Sequence, residues 1–136
     1  MQKIPTGAWI VVADGAHARL FHNIGKNDAL QLKQEDLVKP DMADEQGQGP
    51  SGHRPPEASP EQTDEATFAK QLVQRLNAAA LKHEFQALVL IADPKTLGEM
   101  RPQLHSETSK RIIGELPKTL TNSTVSDIEK ILAASD

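Results

Sequence analysis

Trp9-Ile-Val-Val-Ala-Asp14-Gly and Leu88-Val-Leu-Ile-Ala-Asp93-Pro are two short apolar runs, and each ends in Ala-Asp followed by a turn-forming residue. Runs of this length that are rich in valine and isoleucine and end at glycine or proline are typical of strands buried on both faces. The two aspartates then follow the carboxyl ends of two strands, where open α/β sheets place their ligand-binding residues. The pattern therefore predicts an α/β fold.

The other segments predict a three-layer sandwich, in which a mixed, partly parallel five-stranded sheet carries helices on both faces. The order of elements is β-β-β-loop-α-β-α-α-β-α. After the first strand, the predicted strands are at 19–22, 30–38, 87–92 and 112–116. The predicted helices are one capped by Thr63 with an apolar stripe from Phe68 to Ala80, one near 94–100, one that begins at Pro102, and one capped by Thr124.

Residues 39–63 interrupt these patterns with five prolines and three glycines. Loops of this length inside a small domain are uncommon and are generally functional or disordered. We therefore predict one domain over residues 1–136 that contains a long flexible loop at 39–63.

Composition excludes several classes of function. The chain has 136 residues, no cysteine and a net charge of -4, so it lacks thiol chemistry and does not look like a dedicated duplex-binding protein. It shows no signal peptide and no apolar run long enough to cross a membrane, so we expect a cytoplasmic protein without a membrane partner. Residues 66–118 carry eight basic and five acidic side chains, which form either ordinary solvated surface or a patch that faces phosphate.

Two readings of the strand-end aspartates remain open. If their strands are neighbours, Asp14 and Asp93 form a carboxylate pair suited to acid–base or metal chemistry. Alternatively, each caps a turn or a helix, as the proline after Asp93 indicates. His53 and His105 stand alone and lack the spacing of metal ligands, so the sequence predicts no metal and no cofactor.

Gly98 lies inside the short helix predicted near 94–100, and Arg101 directly follows that helix. A glycine inside a helix costs about 1 kcal/mol relative to alanine. Close approach of another backbone or of a partner would account for it. Arg101 then either contacts phosphate or is a solvated, ion-paired surface residue.

With these segments in view, the chain resembles the bacterial host attachment protein family. The matching stretches are Trp9 to Phe21 (Trp-Ile-Val-Val-Ala-Asp-Gly-Ala-His-Ala-Arg-Leu-Phe), Phe68 to Leu72, Phe85 to Arg101 and Gly114 to Thr121. That family is similar to the central domain of archaeal and eukaryotic peptide-release factors. In that domain a mobile loop with a Gly-Gly-Gln tripeptide precedes a helix and promotes hydrolysis of peptidyl-tRNA.

The resemblance implies a release-factor-like fold, but this chain departs from the tripeptide. It has Gly47-Gln48-Gly49 well upstream of the helix, which argues against the hydrolytic activity. The first hypothesis is therefore a non-enzymatic module that binds the ribosome or RNA and acts indirectly in host attachment. Its predicted phosphate-facing residues are Lys95, Arg101, Lys110, Arg111 and Lys118.

The alternative is a hydrolase of an ester or phosphoester. Its candidate site residues are Asp14, Gln48 or Asp93, and it predicts that the two aspartates converge in a pocket near the loop. A surface adhesin, the third alternative, is disfavoured by the missing signal sequence. None of these patterns points to an oligomeric state.

Overall fold

Five strands form one mixed sheet in the computed structural model of the chain, which describes residues 3–26, 29–39 and 60–134. The strands are β1 (Trp9–Ala13), β2 (Ala18–Asn23), β3 (Leu32–Val38), β4 (Leu88–Ala92) and β5 (Ile112–Leu116). Their order in the sheet is β3-β2-β1-β4-β5. The pairs β3–β2 and β2–β1 are antiparallel, and the pairs β1–β4 and β4–β5 are parallel. The predicted mixed, partly parallel sheet is confirmed.

The helices are α1 (Pro60–Leu81), α2 (Pro94–Met100), α3 (Ser106–Ser109) and α4 (Val125–Ala133). Helix α1 begins three residues before the predicted cap at Thr63. Proline suits the first helical position, because its fixed φ matches the helix and its missing N–H has no helical acceptor there. The predicted loop therefore loses residues 60–63, which are helical.

No α-helix opens at Pro102, where the sequence predicted one. Residues Arg101–Gln103 form a single 3-10 turn, and α3 begins only at Ser106. The side chain of Asn77 explains the interruption, since it donates to the carbonyl of Gln103 and accepts from the N–H of His105, at 3.1 and 2.9 Å. These bonds from α1 hold the chain extended between the turn and α3.

Two apolar cores cover the two faces of the sheet. Because side chains alternate along a strand, Val11 faces one core and Val12 the other. Helices α1 and α2 close the first core, and α4 closes the second with Ile128 and Leu132. All six residues of the predicted stripe on α1 are buried, namely Phe68, Leu72, Val73, Leu76, Ala79 and Ala80. The predicted three-layer sandwich is confirmed.

Strands β1, β4 and β5 end at the same edge of the sheet, which we call the carboxyl edge. Ala13 of β1 lies opposite Ala92 of β4, so Asp14 and Asp93 follow on neighbouring strands. Strand β3 also runs parallel to β1, because two antiparallel pairings separate them. The end of β3, where the chain leads toward residue 40, therefore lies at this edge as well.

Part of the predicted chemistry lies outside the described residues, namely Gln48 with its two flanking glycines and His53. The described chain stops at residue 39 and resumes at Pro60. Among the described helices, none combines the length and the apolar composition needed to cross a membrane.

Candidate functional site at the carboxyl edge

Asp14 is held by donors from two separate segments. Its Oδ1 accepts the N–H groups of Ala16 and His17 at 2.8 and 2.9 Å, which closes the turn after β1. Its Oδ2 accepts the hydroxyl of Thr121 at 2.7 Å. Burial alone would raise the pKa of Asp14, but these hydrogen bonds and the neighbouring His17 outweigh it and lower the pKa below its ordinary value. The carboxylate is therefore charged and anchored.

Asp93 is the N-cap of α2, as its position before Pro94 predicts. One carboxylate oxygen accepts the N–H of Thr96 at 3.1 Å, and the other accepts the hydroxyl of Thr96 at 2.8 Å. Thr96 is itself buried. The side chain of Asp93 is thus engaged in starting the helix.

The sheet places the two aspartates side by side, so the condition for a carboxylate pair is met. Both oxygens of each carboxylate nevertheless accept hydrogen bonds from the protein. These bonds hold the two carboxylates in place as parts of a turn and a helix cap, and they lower the pKa of Asp14, which makes it a weaker base. Within the described residues, no group of three or more His, Asp or Glu side chains can hold a metal ion. The geometry favours two structural caps.

Arg19, Thr121 and Ser123 complete a network that the sequence reasoning missed. Nη1 of Arg19 donates to the carbonyls of Thr121 and Ser123 at 3.2 and 2.6 Å, and its guanidinium carbon lies 5.0 Å from the ring centre of Phe21. Partial burial lowers the pKa of Arg19. Alternation along β2 could have placed Arg19 on the face of Phe21, but no local signal indicates partners near residue 121. Together with Asp14, this arginine ties the segment before α4 to the sheet.

Two of the five predicted phosphate-facing residues lie at the carboxyl edge, and a third follows α2. Lys95 is exposed in the first turn of α2, and Lys118 is exposed two residues beyond β5, so both belong to the carboxyl edge. Arg101 follows α2 and remains 56% exposed. Its Nε and Nη2 donate to Oε1 of Glu115 at 2.9 and 2.6 Å. Arg101 is therefore the ion-paired surface residue that one of the two readings predicted.

Lys110 and Arg111 are separated from these cations, since they precede β5 and lie at the opposite edge of the sheet. Strand β5 alone spans about 17 Å. Lys110 pairs with Glu107 at 2.9 Å and is exposed. Hydrogen bonds from Lys110 and Arg111 hold the pKa of Glu107 at about 2.

Arg111 does not form part of an exposed phosphate-facing surface, contrary to the prediction. Only 8% of its side-chain surface is exposed. It donates to the carbonyl of Phe85 at 3.1 Å and to the carbonyl and carboxylate of Glu107 at 2.6 and 2.9 Å. Burial of an arginine requires such partners. The Arg111 side chain therefore connects the segment before β4 with α3 and the start of β5.

Comparisons with known proteins bear on the same region. The family model described as bacterial archaeo-eukaryotic release factor family 12 matches residues 7–132, a range that contains the whole sheet. A comparison with curated proteins gave no match. The family match supports the release-factor side of the resemblance and does not support the host-attachment side. Because the match covers nearly the entire length, the chain belongs to the bacterial archaeo-eukaryotic release factor family 12.

Proposed function

We propose that this chain is a non-enzymatic, release-factor-like module that binds ribosomal RNA through the cations of its carboxyl edge. The observation that carries the proposal is the placement of Lys95 and Lys118, both exposed, after two adjacent parallel strands. Lysine and arginine supply the sequence-independent part of nucleic-acid binding by neutralising phosphates. Membership of a release-factor family makes the ribosome the natural target.

The carboxylates at this edge support binding rather than hydrolysis. Both oxygens of Asp14 and of Asp93 accept hydrogen bonds from the protein's own N–H and hydroxyl donors. They therefore stabilise the strand ends and leave the phosphate contacts to the lysines. The overall charge of -4 limits non-specific attraction, so we expect binding to be weak and strongly sensitive to salt.

Co-sedimentation of the full chain with purified bacterial ribosomes tests this proposal. The wild type should pellet with ribosomes at about 50 mM salt and be released at about 200 mM. The double variant Lys95→Glu with Lys118→Glu should stay in the supernatant.

A matched control carries the same charge change elsewhere, in Lys82→Glu with Lys130→Glu. Both of these lysines are exposed. Lys82 follows α1 and precedes β4, so it lies at the edge of the sheet opposite the carboxyl edge. Lys130 lies on α4, which covers the other face of the sheet from α1. The control should bind like the wild type. Equal losses in the two double variants, or no co-sedimentation of the wild type, would refute the proposal.

A hydrolase is the second candidate, and one observation favours it. Asp14 and Asp93 directly follow two neighbouring parallel strands, and a site with paired carboxylates requires this placement. Hydrolysis of p-nitrophenyl esters and phosphates by the wild type, abolished in Asp93→Asn while the fold is retained, would establish this candidate over the binding module.

A further inference from the structure

Strand β5 forms one edge of the sheet, and among the described residues no strand pairs with its outer side. The other edge strand, β3, has the usual protection, since the residues from Lys33 to Asp36 are charged or polar and mostly exposed. Strand β5 reads Ile-Ile-Gly-Glu-Leu, and all five residues are half-buried. Its pairing with β4 is irregular at Ile113 and regular from Gly114 to Leu116. An edge strand that is mostly apolar and lacks lysine and proline is open to pairing with another chain.

The main chain of Glu115 points away from β4. The N–H of Leu88 donates to the carbonyl of Arg111 at 2.8 Å, so Leu88 and, two residues later, Leu90 direct their main-chain groups toward β5. Leu90 lies opposite Glu115. In a parallel pair, a residue that faces the neighbouring strand bonds to the two residues that flank the one opposite, and not to that residue itself. The N–H and the carbonyl of Glu115 are therefore directed to the open side of β5.

The side chains in this part of β5 alternate between the two faces of the sheet. Glu115 lies on the face that α1 and α2 cover. Gly114 and Leu116 lie on the other face, where Leu116 packs against the second core. When two β5 strands pair antiparallel about a two-fold axis at Glu115, each Leu116 lies opposite the Gly114 of the other copy. A large side chain then meets a residue that has none, so the strands can approach without a clash.

The ion pair of Arg101 and Glu115 is complementary to its own copy across this axis. Nε and Nη2 of Arg101 both donate to Oε1 of Glu115, so the pair itself does not use Nη1 and Oε2. Residues directly opposite in an antiparallel pair have Cβ atoms about 5 Å apart, so the two Glu115 side chains meet at the axis. Two arginines offset these two carboxylates, because each guanidinium can bind both of them. The charge on β5 therefore favours a second copy of this chain over a partner without the same ion pair.

We infer that the protein forms a two-fold dimer through antiparallel pairing of β5 with the β5 of a second copy, centred on Glu115. Residues at such an axis exchange both N–H···O bonds, which satisfies the outward main chain of Glu115. One short strand pair is small beside the standard interface of about 1,600 Å², so we expect half-dissociation at about 10–100 µM. The dimer does not depend on the proposed function, because Lys95 and Lys118 lie outside β5.

Charge exchange at the axis tests this dimer, by sedimentation equilibrium of the full chain over about 5–500 µM. Arg101→Glu leaves only carboxylates at the axis and Glu115→Arg leaves only guanidinium groups, so each variant alone should dimerise at least about tenfold more weakly than the wild type. An equimolar mixture of the two variants should dimerise again, because each copy then meets the opposite charge. The variant with both substitutions should dimerise by itself for the same reason.

Two controls accompany these variants. Circular dichroism should show that both single variants are folded, since an exposed ion pair contributes little to stability. Glu35→Arg makes the same charge change on the β3 edge, where Glu35 lies 3.9 Å from Lys33, and it should dimerise like the wild type.

The possible outcomes separate the parts of the inference. A wild type that remains monomeric at about 500 µM would overturn it. A dimer that persists in both single variants, or that Glu35→Arg disrupts equally, would exclude β5 as the interface. A mixture of folded single variants that stays monomeric would exclude the two-fold register at Glu115. Recovery in the mixture would establish the contact, because only pairing between copies lets one variant compensate for the other.

Discussion

Replacing Arg111 with alanine should destabilise the fold by about 3 kcal/mol, because it removes a buried charge together with its partners' hydrogen bonds. The guanidinium forms hydrogen bonds with the carbonyl of Phe85 and with two oxygens of Glu107, and it lies 3.1 Å from Nδ1 of His83. Truncation leaves the carbonyl of Phe85, three residues before β4, without this donor. For a domain of this size, the loss corresponds to a fall in Tm of about 10 °C.

Lys110 provides an internal comparison, since it is the adjacent residue and pairs with the same carboxylate of Glu107. Its side chain is 61% exposed, and exposed ion pairs contribute little to stability. Lys110→Ala should therefore cost about 0.5 kcal/mol or less. Urea titrations followed by far-ultraviolet circular dichroism give both free energies of unfolding at pH 7. Arg111→Ala and Lys110→Ala unfolding within about 0.5 kcal/mol of each other would show that Arg111 is not an internal structural residue.

Three further substitutions test the local interpretation of the fold. The folded-state pKa of Asp14 lies below its ordinary value, so its carboxylate stabilises the fold above about pH 4 and loses this effect as the pH falls. Asp14→Asn should thus be about 1 kcal/mol less stable at pH 7 in urea titrations and approach the wild type as the pH falls through the lowered pKa of Asp14; an unchanged gap would contradict this. Asn23→Ala should cost about 3 kcal/mol by thermal unfolding, because Asn23 is 1% exposed and its side chain forms hydrogen bonds with four backbone groups. Thr124→Ala removes the cap bond to the N–H of Asp127 and should cost about 1 kcal/mol in the same assay; a neutral result would exclude the cap's contribution.

Much of the fold could be predicted, because the decisive signals are local. The apolar runs before Asp14 and Asp93 became the two central strands, and the stripe from Phe68 to Ala80 became the buried face of α1. Spacing alone shows which side of a strand or helix must leave water. The start of α1 was misplaced because both Pro60 and Thr63 suit a helix N-terminus, and residues nearby in sequence do not choose between them.

The candidate site was predictable only in part. Lys110 and Arg111 are adjacent and both basic, yet one is exposed and the other is buried. Which of them turns inward depends on how the chain enters β5, beside Phe85 and Glu107. The cations at residues 95, 101, 110 and 118 looked equivalent along the chain, yet the fold places Lys95 and Lys118 at the carboxyl edge and Lys110 at the opposite end of β5.

The sequence by itself determined what depends on neighbours within a few residues: the strands, the amphipathic helices, and the cap that Asp93 forms with Thr96. Only the tertiary structure decided that Asp14 bonds to Thr121, 107 residues away, and that Arg19 holds the same segment. Such bonds require the order of strands in the sheet and the packing of α4, which are set by burial of the whole apolar surface at once. Hydrophobic burial is not directional, so the pattern says which residues leave water, and the assembled layers decide which polar groups meet.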